Sequence, residues 1–447
     1  MKKIKKIEKL NISTGLSMWK RAKKIIPGGS QLLSKRSEMF LPDRWPSYYQ
    51  KAGGVSVTDL DGNKFIDMSI MGIGSCTLGY ADIDVNREVK KAIDNGSMST
   101  LNSLEEVELA ELLCKIHPWA KMVRYARTGG ESMAIAVRIA RAYSKKDGVV
   151  FCGYHGWSDW YLAANLSDNK SLDGHLLPGL DPAGVPSSLA GSTLTFSYNK
   201  IEELEKITSE NKNIGVIVVE PLRHQEPEND FLKKVRAIAD KIGAVLIFDE
   251  ITIAWRLNVG GVHLLYGVNP DIAVFGKAMS NGYPMAAIIG RENVMQAAQK
   301  TFISSTYWTE RIGPTAALAT IKKMQKVKLP KHLKMIGSQI GRGWESLARK
   351  HGLKLKVIGP EALVTFILDY GEESQSIRTL FTQEMLKRGY LASPSVYVSY
   401  AHSRSIVDKY LKEVDVVFSI LSDAIQSGTI GKLLEGPVAH TGFKRLT

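Results

Sequence analysis

A chain of 447 residues, 44% hydrophobic and 23% charged, is an ordinary globular protein with room for two domains and their cores. Its formal net charge of +14 is spread through helices with acidic neighbours and without aromatic interleaving, which argues against a nucleic-acid partner and for a solvated surface. Cys76, Cys114 and Cys152 are odd in number and too scattered for a metal site, and no apolar run approaches the roughly 18 residues of a membrane span.

The start, residues 1–10, is basic but lacks the hydrophobic core of a signal peptide, so a reducing cytoplasm is expected. A helix is predicted over 16–25, then a strand pair around 54–65 turned by Asp61-Gly62. Residues 1–70 form an N-terminal segment belonging to a small domain. From 71 to 311 alternating strands and helices predict a large doubly wound domain. Within it, Thr128-Gly129-Gly130 precede an alanine-rich helix over 133–142, and glycines there let main-chain N–H groups approach a phosphate. The strand 149–152 runs into Gly153-Tyr154-His155-Gly156-Trp157. An aromatic flanked by glycines at a strand end can lie flat on a planar ring; core packing for Tyr154 and a structural role for His155 are the plainer alternatives. The polar stretch 165–194 reads as a surface excursion or a mobile lid.

Strand 215–219 ends in Glu220-Pro221, and the helix 231–242, apolar at 231, 235, 238 and 242, is a crossover. Strand 244–248 carries no polar residue, which suits burial on both faces, and ends in Asp249-Glu250. A further apolar run and Gly276 deliver Lys277 into a loop of small and turn-forming residues. Past Gly313-Pro314 a long helical stretch to 350, strands 363–368 and 396–400, and helices 377–388 and 407–425 predict an α+β domain over 312–447.

Ligands of open parallel sheets bind beyond the carboxyl ends of the strands, where Glu220, Asp249 and Lys277 would stand together. Partial desolvation there lowers a lysine pKa toward the nucleophilic range. One buried carboxylate beside an imine-forming lysine is the pairing that pyridoxal phosphate chemistry uses, the acid keeping the pyridine nitrogen protonated so that the ring accepts electrons. A solvated surface cation is the plain alternative for Lys277, and an N-cap or turn carboxylate for Asp249.

These motifs resemble those of the class III (subgroup II) aminotransferases of PLP fold type I, and within them the glutamate-1-semialdehyde 2,1-aminomutases. The resemblance runs from Pro27-Gly28-Gly29 through the helix after Thr306. It is most specific over 246–256, with the lysine 28 positions beyond Asp249. It implies an α/β fold: a large doubly wound, mostly parallel-sheet domain plus a smaller α+β domain. It further implies that Lys277 forms the Schiff base with pyridoxal 5'-phosphate and that Asp249 pairs with the ring nitrogen. Thr128, Gly129 and Gly130 fall where the family binds the phosphate, Tyr154 where an aromatic stacks on the ring, with His155 beside it. Glu220 falls in the family's Glu-Pro motif, and Gln225 where an amide reaches the phenolic oxygen. Ser305-Thr306 matches a segment that crosses a homodimer interface to the partner's phosphate.

Three departures matter. The family's Asn-Ser-Gly-Thr-Glu-Ala reads Arg127-Thr128-Gly129-Gly130-Glu131-Ser132, so a hydroxyl donor is lost and a cation stands beside the phosphate loop. Where the aminomutases have an arginine for the substrate carboxylate this chain has the stretch 30–36, in which Lys35 or Arg36 is expected to take that part with altered geometry, and residues 393–399 offer no carboxylate for a substrate amine. The latter two argue against glutamate-1-semialdehyde as substrate. The expected activity is therefore amino transfer from an amino-acid donor to a keto or aldehyde acceptor, with an anionic, sugar-like substrate among the candidates. Intramolecular aminomutase transfer and a catalytically silent PLP-fold binding protein are the alternatives. A nicotinamide dehydrogenase is set aside, because no Gly-x-Gly-x-x-Gly turn follows a strand.

Overall fold

The computed structural model describes residues 10–168, 170–175 and 177–443. The first nine residues of the basic start, and positions 169 and 176 of the polar stretch, lie outside them. The chain divides into two compact units, Ile83–Pro330, and Met1–Asp82 with Lys331–Thr447.

The smaller unit opens with the helix Ser13–Ile25 and three antiparallel strands, β1 (Tyr49–Gly53), β2 (Ser56–Asp59) and β3 (Lys64–Met68). The turn between β2 and β3 is built as its residues predict. Asp59 Oδ1 accepts from the N–H groups of Asp61 and Asn63 at 3.0 and 2.8 Å, and Gly62 takes a left-handed φ of +85°.

The larger unit holds a seven-stranded sheet of β4 (Met122–Ala126), β5 (Gly148–Cys152), β6 (Thr193–Thr195), β7 (Ile214–Val219), β8 (Val245–Asp249), β9 (Ile272–Phe275) and β10 (Ala286–Gly290). Their spatial order is β4-β10-β9-β8-β7-β5-β6, and only β10 runs antiparallel to its neighbours. Every residue of β5, β7, β8, β9 and β10 is buried, and the reason is in the layering. Val216, Val218, Val245 and Ile247 pack on one face with the helix Gly129–Ser144, whereas Ile217, Val219, Leu246 and Phe248 pack on the other with the helix Phe231–Ile242. Successive residues of a strand point to opposite faces, so a strand covered on both sides must read as an unbroken apolar run. Each such side chain contributes about 1.5–3 kcal/mol through burial.

The rest of the smaller unit adds β11 (Leu355–Ile358), β12 (Leu363–Leu368), β13 (Tyr390–Ala392) and β14 (Ser395–Tyr397). β13 pairs parallel with β3, and β11-β12-β14 form a second, antiparallel sheet. The helices Leu329–Lys350, Ser374–Lys387 and Arg404–Ser427 accompany them.

Two expectations differ from what is observed. The helical stretch to 350 is two helices, Ile312–Lys326 and Leu329–Lys350, separated where Lys328 turns to φ +50°. The first packs against the helices Ile83–Asp94 and Leu104–Ile116 and so belongs to the larger unit. The boundaries expected at 70/71 and 311/312 thus fall at 82/83 and 330/331, because a Gly-Pro pair near a helix start does not interrupt it.

Candidate active site

β9 ends at Phe275, Gly276 continues extended, and Lys277 opens a short 3-10 turn, Lys277–Ser280. Lys277 holds φ at +42°, Asn281 at +48° and Trp255 at +70°, left-handed conformations that cost non-glycine residues on the order of 1–3 kcal/mol each. The Lys277 ammonium donates to Oγ1 of buried Thr252 at 2.8 Å. Burial, then the guanidinium groups of Arg223 and Arg256, pull its pKa down to about 8, against the opposing pull of Glu220 and Asp249. A useful fraction of the amine is therefore uncharged near neutral pH.

Asp249 closes β8 and is buried. Its Oδ2 pairs with Nδ1 of His155 at 2.8 Å and its Oδ1 accepts from the Ile251 N–H at 3.1 Å. His155 is itself buried against Phe151, Trp160 and Tyr161, and its Nε2 has no hydrogen-bond partner among the described residues. The adjacent carboxylate faces other groups: Glu250 takes the N–H groups of Val262 and His263 at 2.9 Å each and the His263 ring at 2.7 Å. Of the Asp-Glu pair, the first serves the site and the second fixes the turn that follows.

Glu220, at the end of β7, accepts from the Tyr154 N–H at 3.0 Å and from Nη1 of Arg223 at 2.9 and 3.0 Å. Burial pushes its carboxyl up, but Arg223, His155 and the Tyr154 N–H outweigh that and hold it below the usual range. Tyr154 is half-buried, edge-on to Tyr161 at 5.8 Å, and burial raises its phenol.

The helix Gly129–Ser144 starts with Thr128 at its N-cap, so the amides of Gly129 and Gly130 head a four-turn helix and point its positive end outward. Its first turn is closely lined. A Cβ on Gly129 would meet Ile251 Cδ1 at 3.0 Å, one on Gly130 would meet Trp157 Nε1 at 2.9 Å, and Gly156 has φ +106°. Arg127, the cation expected beside this loop, is occupied elsewhere: it pairs with Glu310 at 2.8 Å and donates to the carbonyls of Trp308 and Glu310. Glu131 reaches back to the Arg127 N–H at 2.8 Å and accepts from Trp308 Nε1 at 2.9 Å. The turn Thr306–Thr309 is thereby fastened to the start of the helix Gly129–Ser144 while Thr306 itself is exposed.

Lys277, Asp249, Glu220, Tyr154, His155 and the 128–130 loop all lie in the larger unit, at strand ends or a helix start. Gln225 is exposed on the loop after β7. Lys35 and Arg36 belong to the smaller unit, where the Arg36 guanidinium lies over the Phe443 ring at 5.7 Å. In the stretch 165–194, Asn165 ties the loop together by donating to the Leu180 carbonyl at 2.7 Å and accepting from the Leu172 N–H at 2.9 Å. Thr252, Arg223 and Arg256 were not singled out by sequence. Thr252 and Arg256 lie in the most specific motif, three and seven positions past Asp249, and Arg223 stands one turn past Glu220.

The family model of the class-III aminotransferases matches residues 42–381. The chain belongs to the class-III aminotransferases. A 3-aminobutyryl-CoA aminotransferase of Cloacimonas acidaminovorans is 30% identical to this class-III aminotransferase over 409 residues, 89% of this chain and 94% of the relative. A glutamate-1-semialdehyde 2,1-aminomutase of Ignicoccus hospitalis is 29% identical, covering 91% and 99%. The fold is shared with the PLP internal aldimine form of the FumI protein of Sphingopyxis sp. MTA144, at TM-score 0.83 and 23% identity over 92% of this chain and 97% of that one. It is also shared with an omega-transaminase of Sphaerobacter thermophilus, at TM-score 0.80 and 23% identity over 92% and 98%. The expected PLP fold type I is thus observed, and the cofactor of this class-III aminotransferase is pyridoxal phosphate. The residues fit it: an amine shifted toward neutrality, a buried carboxylate oriented by a histidine, and a glycine-lined helix start. Among the described residues no group of three or more His, Cys, Asp or Glu side chains could hold a metal ion, and no helix is long and apolar enough to cross a membrane.

Proposed function

We propose that this class-III aminotransferase moves an amino group from an amino-acid donor to a keto or aldehyde acceptor bearing an anionic, sugar-like group, in the cytoplasm and as a homodimer. The observation that carries this reading is the Lys277 amine on the Thr252 hydroxyl in one constellation with the Asp249–His155 pair. Pyridoxal phosphate, when bound, supplies the electron sink for the charge left after a carbon-bound proton departs. Asp249, oriented by the His155 ring and the Ile251 N–H, would pair with the ring nitrogen and keep a proton there. The Gly129 and Gly130 amides and the Thr128 hydroxyl would hold the phosphate at the positive end of their helix. Tyr154, its backbone fixed by Glu220, would cover the ring. Lys277, free as an uncharged amine, takes the proton from the carbon that bears nitrogen and returns it to the neighbouring position, a role that contributes about 10²–10⁴-fold to rate. A catalytically silent protein would need neither a lysine so close to neutrality nor a counter-carboxylate so deeply held.

Borohydride reduction of cofactor-saturated protein followed by peptide mapping is expected to place the label on Lys277, and Lys277→Ala to carry none. A label on another residue, or none in the wild type, overturns the reading. Aminomutase relatives at 29% identity keep a second reading in play, in which nitrogen returns to the same molecule. Half-reactions with a panel of amino acids separate the two. Conversion of ordinary amino acids supports the transaminase, and conversion of only a 4,5-diamino acid or its semialdehyde supports the mutase.

A further inference from the structure

We propose that the indole N–H of Trp157 is a donor to the cofactor phosphate, standing in for the side chain that Gly130 lacks; this rests on placing that phosphate at the start of the helix Gly129–Ser144. The first turn of that helix offers main-chain N–H groups but no side-chain donor at 129 or 130. The space at 130 is nevertheless filled. A Cβ on Gly130 would lie 2.9 Å from Trp157 Nε1 and 3.0 Å from Cδ1, so the nitrogen-bearing edge of the indole takes the room into which a side chain at 130 would extend. A close approach of two backbones puts it there. A Cβ on Gly156 would meet the Gly130 Cα at 2.9 Å, and Gly156 holds a φ of +106° that other residues rarely adopt. Ser158 Oγ, donating to the Gly130 carbonyl at 3.3 Å, fastens the same loop to the helix.

The other side-chain donors beside this turn are committed. Ser132 Oγ donates to the Thr128 carbonyl at 2.6 Å, Ser158 to that of Gly130, and Trp308 Nε1 to Glu131 at 2.9 Å, while Arg127 is held by Glu310 and the Trp308 carbonyl. Trp157 Nε1 has no acceptor among the described residues. Nor does core packing account for the place of this side chain, since Trp157 is 69% exposed. An indole nitrogen can only donate, so an anion is the partner it suits. Its bond to a phosphate oxygen would be charge-assisted and roughly twice as strong as one between neutral groups. The indole would thus add a directed donor to the main-chain amides without bringing a second cation to the positive end of the helix.

The test titrates the full chain, freed of cofactor, with pyridoxal phosphate and with pyridoxal, which lacks the phosphate, reading imine absorbance. Wild type is compared with Trp157→Phe, Trp157→Ala, and Trp157→Ala combined with Gly130→Ser. Trp157→Phe keeps an aromatic ring without a donor, and is expected to bind pyridoxal phosphate about 10–100-fold more weakly with no change for pyridoxal. Gly130→Ser places a hydroxyl in the room that Trp157→Ala vacates, and should recover part of the affinity which that substitution loses. Undiminished affinity for pyridoxal phosphate in Trp157→Phe overturns the assignment. A loss in Trp157→Ala alone does so too, making the indole a packing surface, as does an equal loss for both ligands, which would place the damage away from the phosphate. These outcomes leave the phosphate site standing as long as the wild type prefers the phosphorylated ligand. A wild type that holds both ligands equally removes the phosphate from the helix start, and the role of Trp157 with it.

Discussion

The amine of Lys277 is the group whose behaviour the site dictates most sharply. Its pKa of about 8 lies below the ordinary 10.5, because burial and Arg223 disfavour the charge. Between those values the unfolded chain binds a proton that the native state has released, so stability rises with pH across that window and the full penalty applies below about 8. At pH 7 the cofactor-free Lys277→Met protein should therefore be more stable than the wild type by about 1–3 kcal/mol, as read by chemical unfolding. The same charge balance sets reactivity. Imine formation by the cofactor-free protein should be half-maximal near pH 8 and fall as pH drops, and Arg223→Gln should move that midpoint upward by removing a cation. Stopped-flow absorbance against pH checks both, and a wild-type midpoint near 10.5 would refute the burial argument. Asp249, Glu220 and Lys277 were legible in the sequence because each ends or follows an apolar run. Thr252 was not, since its bond to Lys277 joins positions 25 apart and nothing local in either segment encodes the meeting. Arg223 was missed for the same reason, an arginine after a Glu-Pro turn being indistinguishable from a surface cation until the sheet brings β7 beside β8.

Elements buried on both faces were the easiest to read. β7, β8 and the helix Phe231–Ile242 fall within one residue of their expected bounds, since continuous apolar runs and a clean helical stripe leave little choice. β10 was not recognised: two of its five residues are alanine and one is glycine, and its reversed direction departs from the parallel pattern of its neighbours. Glycine spacing on the helix Leu329–Lys350 also carried a message that needed the structure. A Cβ on Gly337 would lie 1.8 Å from the Glu361 carbonyl oxygen, and one on Gly341, a turn later, 3.3 Å from Val364. The two glycines form the face on which the chain entering β12 rests. Backbone cannot yield as a side chain can, so Gly337→Ala should cost about 3 kcal/mol. Gly343→Ala, which meets only the movable Leu411 side chain at 2.5 Å, should cost less. Melting temperatures of the two variants give the comparison, and equal values would show that the helix shifts freely.

On the scale of the whole molecule, the larger unit leaves apolar side chains in water that one chain does not cover. Leu101 is 81% exposed, Leu104 68%, Phe302 85% and Tyr307 72%. They belong to two segments held side by side, since the Arg311 N–H donates to the Ser97 carbonyl at 3.0 Å and the Arg311 guanidinium pairs with Glu105 at 2.5 Å. Exposed apolar side chains on neighbouring segments are what an association site offers, and the proposed homodimer would supply the partner. Thr306 stands between Phe302 and Tyr307, and the same stretch is fastened to the proposed phosphate-binding loop of its own chain through Trp308, Arg127 and Glu131. Dimerisation and cofactor retention should therefore be coupled. Sedimentation should give the wild type about twice the 49.3 kDa of one chain, and Phe302→Glu with Tyr307→Glu should return it to a single chain and weaken pyridoxal phosphate binding. Thr306→Ala should leave the mass unchanged while weakening cofactor binding about tenfold, the loss of one hydrogen bond to a charged group. A wild type that sediments as one chain, or a double variant that stays paired, would remove the shared site; a Thr306→Ala protein with undiminished affinity would leave the dimer but take that residue out of it.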